Sequence, residues 1–289
     1  MDKIFTLENS EGYLSYLREN GYVVIKNILP QETRDELIDK FWKDWTTCSP
    51  GFKREDTSTW KSENSPMMFA KGMALFSGLP HGDFAWSTRT QPKIRKVFAK
   101  VHGTKKLSVS FDGFSVFFSN KQKTPKWLHT DQNPANPEYS IQGAYNFLPV
   151  TENSAGFLVV PGSHKEERTS TKKMDWIPVE DDPRAIKLQI PENCLTLWNS
   201  KTVHANTGYT GKEIKLDRLT CYITWTPRST REIQLEKIRA FWASNGTSHW
   251  ANRCEIKKYP WGFGPLYESR NFNKLTTPKN IPVEILRYF

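Results

Sequence analysis

Residues 107–118, with the sequence LSVSFDGFSVFF, decide the fold class of this chain of 289 residues. Two strand-like runs flank Asp112-Gly113, and an Asp-Gly pair in this setting predicts a β-hairpin, with Asp112 as a turn former rather than a catalytic acid. Further apolar runs of strand length follow, separated by turn sequences, at residues 140–150, 155–162, 185–190, 194–199 and 218–227. Most of them are too close together for crossover helices, so the pattern predicts a sandwich or jelly roll.

The sequence before residue 107 has a mainly helical pattern. Helices are predicted at 8–20, 30–45 and 91–103, a strand at 22–29, and long loops at 46–90. Gly21 is expected to end the first helix. Pro30 is expected to begin the second, where its missing N–H does no harm.

The helical pattern returns after residue 228, at 229–244, and is followed by an aromatic segment at 259–272. The segment contains Trp261, Phe263, Tyr267 and Phe272, which are expected to pack in the core and on the barrel. We therefore interpret residues 1–289 as one domain with an N-terminal helical and loop part (1–106), a β core (107–228) and a C-terminal extension (229–289).

Composition is typical of a folded protein, and a cytoplasmic location is expected from the absence of membrane-span and secretory-signal patterns. Hydrophobic residues make up 37% of the chain and aromatic residues 13%, which is enough for a substantial core. No apolar run approaches the roughly 20 residues of a membrane span, and the N-terminus has no secretory signal pattern. The four cysteines are far apart, which makes a zinc ribbon improbable and favours reduced structural thiols.

A small substrate is expected, and the net charge of +10 favours an anionic one. The basic residues are spread along the chain, and no nucleic-acid-binding motif is present, so a nucleic-acid partner is not expected. The sequence carries no signal for an oligomeric state.

The segment WLHTDQNP, residues 127–134, contains a candidate metal site. His129 and Asp131 are separated by one residue, so on an extended strand both side chains point to the same face. Such a pair is a weak signal by itself, because it often arises by chance. His204 follows a later apolar run and supplies the third ligand of a possible two-histidine, one-carboxylate site, the pattern of non-haem Fe(II) oxygenases.

Arg218 begins the next apolar run after His204. If an iron site of this kind uses 2-oxoglutarate, the protein must also hold the distal carboxylate of that molecule. Arginine pairs well with a carboxylate because its planar guanidinium can donate two parallel hydrogen bonds. Its neighbour Asp217 should face the other way on a strand, which leaves Arg218 available for an anionic ligand.

The order of these features resembles the phytanoyl-CoA dioxygenase family: an HxD pair, the run NSAGFLVVPGSHK (153–165), a distal histidine and an arginine on the next strand. The opening segment 16–37 is also similar to that family, and the resemblance covers about residues 10–228. Two departures stand out: residues 208–217 make the gap between His204 and Arg218 longer than usual, and about the last 60 residues match no motif of the family.

The resemblance implies a mainly β fold with flanking helices around a double-stranded β-helix, a cupin-like jelly roll. It implies an Fe(II)- and 2-oxoglutarate-dependent dioxygenase that consumes O2, releases succinate and CO2, and is supported by ascorbate. His129, Asp131 and His204 match the iron ligands of the family, and Arg218 matches its 2-oxoglutarate-binding arginine. Tyr145, Thr130 and Asn206 match further positions that contact the co-substrate.

Substrate contacts are less well defined by the sequence. Trp86 and Arg89 lie with His81 in the Gly-rich segment 78–91, which is expected to be either a substrate-recognition loop or a packing loop. Trp127, beside the HxD pair, is a further candidate for substrate binding. His164 is expected to make a hydrogen bond in its Gly-Ser turn.

Two alternative functions stay open at this point. A barrel of the same fold could bind a ligand without catalysis, which would require a defective metal site. The positive charge leaves room for a dioxygenase that acts on nucleic acid, which would require a coherent basic groove.

Overall fold

Two β-sheets face each other in the computed structural model of this chain. The structure describes residues 3–66, 68–69, 72–118, 127–168, 176–228, 238–239, 242–243, 247–248, 275 and 280–288. The larger sheet has seven strands, β1 (Ile4–Phe5), β2 (Tyr22–Lys26), β11 (Cys194–Asn199), β7 (Ile141–Asn146), β13 (Arg218–Ile223), β5 (Phe114–Phe117) and β3 (Met73–Ala74), in that order. The smaller sheet has five, β10 (Ile186–Lys187), β8 (Gly156–Val159), β12 (His204–Thr207), β6 (His129–Thr130) and β9 (Ile177–Pro178). β4 (Leu107–Val109) and β14 (Trp225–Pro227) form a separate pair.

Side chains of both sheets meet in one buried cluster between them. Ala144, Trp198 and Tyr222 of the larger sheet belong to the same cluster as Phe157 and Val159 of the smaller sheet. The predicted jelly roll is therefore confirmed, as a double-stranded β-helix with flanking helices.

Helices cover the outer face of the larger sheet. They are α1 (Ser10–Asn20), α2 (Gln31–Cys48), α3 (Asp83–Arg89), α4 (Pro92–His102) and the short α5 (Val283–Leu286). The three predicted helices are confirmed: Gly21 ends α1 in the left-handed conformation (φ 77°), and Pro30 directly precedes α2. Residues 46–90, predicted as loops, contain α3, β3 and three short 3-10 helices, so that prediction is wrong in part.

Alternation along β7 decides which residues face the site. Gln142, Ala144 and Asn146 point between the two sheets, because Ala144 belongs to the cluster shared by both. Ile141 and Tyr145 point to the opposite face and pack in the larger cluster under the helices.

The predicted hairpin around Asp112-Gly113 is wrong. β4 pairs with β14, whereas β5 pairs with β13 and β3, so the two runs belong to different sheets. The tight hairpin turn favoured by Asp-Gly needs positive φ at both central residues, and neither residue has it. Gly113 serves a different purpose, because a Cβ there would lie 2.5 Å from the carbonyl oxygen of Ala74 on β3.

The described cysteines fit the sequence prediction, since Cys48, Cys194 and Cys221 are all free and buried. Cys254 and the aromatic segment 259–272 lie outside the described residues, as does most of the predicted helix at 229–244. Within the part of the chain that the structure describes, no helix is long and apolar enough to cross a membrane.

Asp44 on α2 gives the first testable prediction, because it is a buried carboxylate that accepts a hydrogen bond from the Phe84 backbone N–H at 2.9 Å. Burial raises the pKa of Asp44 from an ordinary 3.8 to about 6. Ionisation therefore costs more in the folded than in the unfolded chain. The free energy of unfolding should fall as the pH rises from about 4 to about 6, and stay lower above that window.

A shift of this size corresponds to about 3 kcal/mol. We expect Asp44→Asn, which keeps an acceptor for Phe84, to be more stable than the wild type at pH 7 by up to that amount. The difference should shrink towards pH 4. Urea unfolding at several pH values measures it, with Asp39→Asn on the exposed side of α2 as the control. Parallel pH profiles for the wild type and Asp44→Asn would contradict the assignment.

Candidate metal centre

Three of the predicted site residues come together between the sheets. Nε2 of His129 lies 3.3 Å from Oδ1 of Asp131, and Nε2 of His204 lies 3.3 Å from Oδ2 of the same carboxylate. One ligand atom from each residue lies within 4.8 Å of the others, so a single ion can bind all three. Antiparallel pairing of β6 with β12 places the two histidines directly opposite each other.

Backbone hydrogen bonds orient both imidazoles. Nδ1 of His129 lies 2.9 Å from the carbonyl oxygen of Trp127, and Nδ1 of His204 lies 2.9 Å from that of Thr202. A carbonyl only accepts, so each Nδ1 carries the proton and each Nε2 presents its lone pair to the site. Burial lowers the pKa of His129, with the neighbouring His204 acting in the same direction, which favours the neutral imidazole that binds a metal.

Asp131 is held from two sides. Its backbone N–H donates to the carbonyl of Ser200 at 3.0 Å, and its Oδ2 accepts from Nε2 of Gln142 at 3.0 Å. Outer hydrogen bonds of this kind orient metal-binding carboxylates. Two imidazoles and one carboxylate with fixed orientations fit Fe(II).

Arg218 lies inside the same barrel and is 2% exposed. Its Nη1 donates to the Gly156 carbonyl at 2.7 Å and to Oδ1 of Asn206 at 3.0 Å, and its Nε donates to the Thr220 hydroxyl at 3.2 Å. Among the described residues no carboxylate forms an ion pair with this guanidinium. Asp217 instead accepts from the Ala155 backbone N–H at 2.6 Å.

Asn206 connects the arginine to the metal centre. It lies two residues after His204 on β12, and side chains at this spacing point to one face about 6.6 Å apart along a strand. Its Nδ2 donates to the Tyr222 hydroxyl at 2.7 Å. Burial lowers the pKa of Arg218 below its usual range, so an anionic partner would stabilise the charged guanidinium.

Tyr145 and Thr130 are the next two residues predicted to contact the co-substrate. Tyr145 lies on the helix-facing side of β7, where its hydroxyl donates to Oδ1 of Asn193 at 2.8 Å. Thr130 lies between two residues that point to the metal site, so alternation turns its side chain to the opposite face of β6. The strand register therefore directs the Tyr145 side chain away from the site, whereas the contact of Thr130 with the co-substrate stays a prediction.

Trp86 and Arg89 were candidates for substrate binding, and both make packing contacts instead. Arg89 is fully buried, its guanidinium lies 4.5 Å from the Trp86 ring, and it donates to the carbonyl oxygens of Pro80 and Asp112. Both residues lie on α3 and are buried. The structure therefore agrees with the packing alternative for residues 78–91. Nε2 of His164 donates a hydrogen bond to the Arg18 carbonyl at 3.0 Å, so its role is structural as predicted, but the bond reaches α1 rather than staying within its own turn.

Two tryptophans contact the metal-binding histidine on β6. The Trp127 ring stacks on His129 with centroids 4.3 Å apart, and its Nε1 donates to the Asn206 carbonyl at 3.0 Å. Trp176 lies 5.6 Å from the same imidazole and is 37% exposed. Sequence analysis missed Trp176, because only the pairing of β9 with β6 brings it to the site.

Comparisons with known proteins agree with this geometry. A family model described as phytanoyl-CoA dioxygenase (PhyH) matches residues 17–215. "Ava biosynthesis cluster protein O" of Aspergillus versicolor is 28% identical over 227 residues, covering 70% of this chain and 73% of that protein. A "putative phytanoyl-CoA dioxygenase" of Dictyostelium discoideum is 22% identical over 242 residues, covering 66% and 69% of the two chains.

A solved structure has the same fold. The epimerase SnoN in complex with Fe3+, alpha ketoglutarate and nogalamycin RO superposes with a TM-score of 0.52 and 16% identity, covering 94% of this chain and 98% of that chain. The family match spans more than half of the sequence and includes His129, Asp131 and His204. The chain therefore belongs to the phytanoyl-CoA dioxygenase family and is an Fe(II)- and 2-oxoglutarate-dependent enzyme of the dioxygenase type.

Proposed function

We propose that this protein oxidises a C–H bond of a small organic substrate and converts 2-oxoglutarate to succinate and CO2. His129, Asp131 and His204 hold the iron, and Arg218 binds the distal carboxylate of 2-oxoglutarate. When bound, the iron supplies the O2 chemistry, and the protein supplies position, desolvation and charge.

One observation carries the proposal: a buried guanidinium that forms no ion pair with a carboxylate of the described residues lies on the same interior surface as the metal ligands. A buried charge without a counter-ion is costly, so a bound anion would stabilise this arrangement. Asn206 lies two residues beyond His204 and is hydrogen-bonded to Arg218. The distance between the metal site and the guanidinium therefore suits a short diacid that reaches from one to the other.

The surroundings of His129 support a small-molecule substrate. Trp127 and Trp176 provide aromatic surface next to a metal ligand, and aromatic rings commonly line small-molecule sites. The names of two similar proteins refer to biosynthesis or to a bound small molecule, in line with this proposal.

The chain's own residues have three tasks in this reaction. The backbone carbonyls of Trp127 and Thr202 keep Nε2 of each histidine unprotonated. Gln142 fixes the orientation of the Asp131 carboxylate, and the Ser200 carbonyl holds the backbone N–H of Asp131. The apolar side chains between the sheets limit the entry of water, which strengthens the attraction between Arg218 and an anion.

The experiment measures binding and turnover separately. We expect the full chain to bind Mn(II) and then 2-oxoglutarate by anaerobic calorimetry, and to release succinate with Fe(II), O2 and ascorbate. Binding without succinate release, even across a broad panel of small substrates, would favour a non-catalytic barrel. Strongly salt-dependent binding of DNA or RNA would favour a nucleic-acid substrate.

A further inference from the structure

One buried donor and one buried acceptor, carried by residues that are paired across two strands beside the metal centre, have no hydrogen-bond partner among the described residues. Within the described part of the chain, neither Oε1 of Gln142 nor Nε1 of Trp198 has a partner. The two residues are 1% and 4% exposed, respectively. Unpaired buried polar atoms are uncommon in folded proteins and each needs a physical explanation.

Strand pairing puts the two groups on one surface. Gln142 on β7 is directly opposite Trp198 on β11, and both point between the sheets. Side chains at such positions have Cβ atoms about 5 Å apart. The Trp198 ring also lies 5.4 Å from the His204 ring, while Nε2 of Gln142 donates to Asp131. The pair is therefore adjacent to two of the three metal ligands.

The orientation of the Gln142 amide is determined by Asp131. An ionised carboxylate only accepts hydrogen bonds, so the amide must direct its NH2 group to Asp131 and its oxygen away from it. The indole nitrogen of Trp198 only donates. The site thus offers one fixed acceptor and one fixed donor.

We infer that Gln142 and Trp198 form a subsite for a neutral hydroxyl group of the substrate, an inference that rests on the proposed function. A hydroxyl donates one hydrogen bond and accepts another, so it satisfies both groups at once. A carboxylate or phosphate would be repelled by the Gln142 oxygen and by Asp131, and an ammonium group would leave the Trp198 N–H without an acceptor. The substrate class is then a small alcohol, with an apolar or aromatic body against the neighbouring rings.

The test uses the full chain loaded with Zn(II) and 2-oxoglutarate. Zn(II) is diamagnetic and redox-inactive, so the spectra are not broadened and no turnover occurs. The probes are benzyl alcohol and toluene, which share a ring and differ in the hydroxyl. The readout is the indole N–H resonance of Trp198 in nuclear magnetic resonance spectra, identified by its loss in Trp198→Phe. We expect benzyl alcohol to shift this resonance saturably and toluene to leave it unchanged.

Gln142→Met keeps the side-chain length and removes the acceptor, so it should weaken the binding of benzyl alcohol by about fivefold, the effect of one hydrogen bond. Toluene should leave the Trp198 resonance of this variant unchanged as well. Gln142→Asn is the second variant, because it retains an amide if the methionine variant does not fold.

Equal shifts with both probes would overturn the inference. The inference would also be overturned if the Trp198 N–H resonance shifted with neither probe and exchanged slowly with solvent. That result would indicate that an ordered water, and no substrate group, satisfies the two atoms. Loss of 2-oxoglutarate binding in the same wild-type sample would instead refute the proposed function, and the subsite with it.

Discussion

His129→Ala is expected to abolish succinate formation and to weaken Fe(II) binding by more than about 100-fold, since loss of even an outer-sphere partner costs 10- to 100-fold. The variant retains only one imidazole and one carboxylate, and the small side chain cannot replace Nε2. Metal affinity is measured by anaerobic titration with Fe(II) or Mn(II), and turnover by succinate release.

His164→Ala is the matched control for this prediction. His164 is bonded to the Arg18 carbonyl and does not belong to the three-residue metal cluster, so its loss should leave metal affinity unchanged. Far-ultraviolet circular dichroism checks that both variants are folded. Unchanged metal affinity in folded His129→Ala would refute the assignment of the metal centre.

The metal ligands could be predicted from the sequence because their geometry is mostly local. His129 and Asp131 share a face by the alternation of an extended chain, and no long-range information is needed for that. The position of His204 opposite His129 depends on pairing between distant strands. Its assignment from sequence therefore required the family resemblance and an apolar run before it.

The failed predictions share a physical cause, which is that strand register and pairing are set by tertiary structure. Asp112-Gly113 has the composition of a hairpin turn, yet Gly113 is needed for the close approach of β3. Tyr145 and Asn146 are neighbours in sequence but face opposite layers, and a shift of one residue reverses that choice. Sequence patterns locate such strands well but define their faces poorly when both faces are buried.

The same limit explains why the subsite at Gln142 and Trp198 has no sequence signal. The two residues are distant in the chain and become neighbours only through the pairing of β7 with β11. Their significance depends on unpaired atoms, which are a property of the packed interior rather than of residue type. The aromatic contact of Trp176 with His129 likewise depends on the pairing of an edge strand.

Arg218→Met is expected to raise the KM for 2-oxoglutarate on the order of 100-fold or more, because removal of one partner leaves a buried charge unpaired. The affinity for Fe(II) should stay close to that of the wild type, since Arg218 does not contact the metal ligands. Steady-state succinate release gives the KM, and anaerobic titration gives the metal affinity.

Arg218→Lys tests how much of the 2-oxoglutarate affinity comes from the positive charge of Arg218 and how much from the shape of its guanidinium. Lysine keeps the positive charge but cannot donate two parallel hydrogen bonds to a carboxylate, so its KM should lie between those of the wild type and Arg218→Met. Arg184→Met is the control: Arg184 is exposed and pairs with Glu166 and Asp182, so its replacement should leave the KM unchanged. If Arg218→Met weakened Fe(II) and 2-oxoglutarate binding equally, Arg218 would support the barrel and another group would bind the co-substrate. A selective loss that lysine restores only in part would show that the positive charge at position 218 contacts the diacid and that the guanidinium shape adds to it.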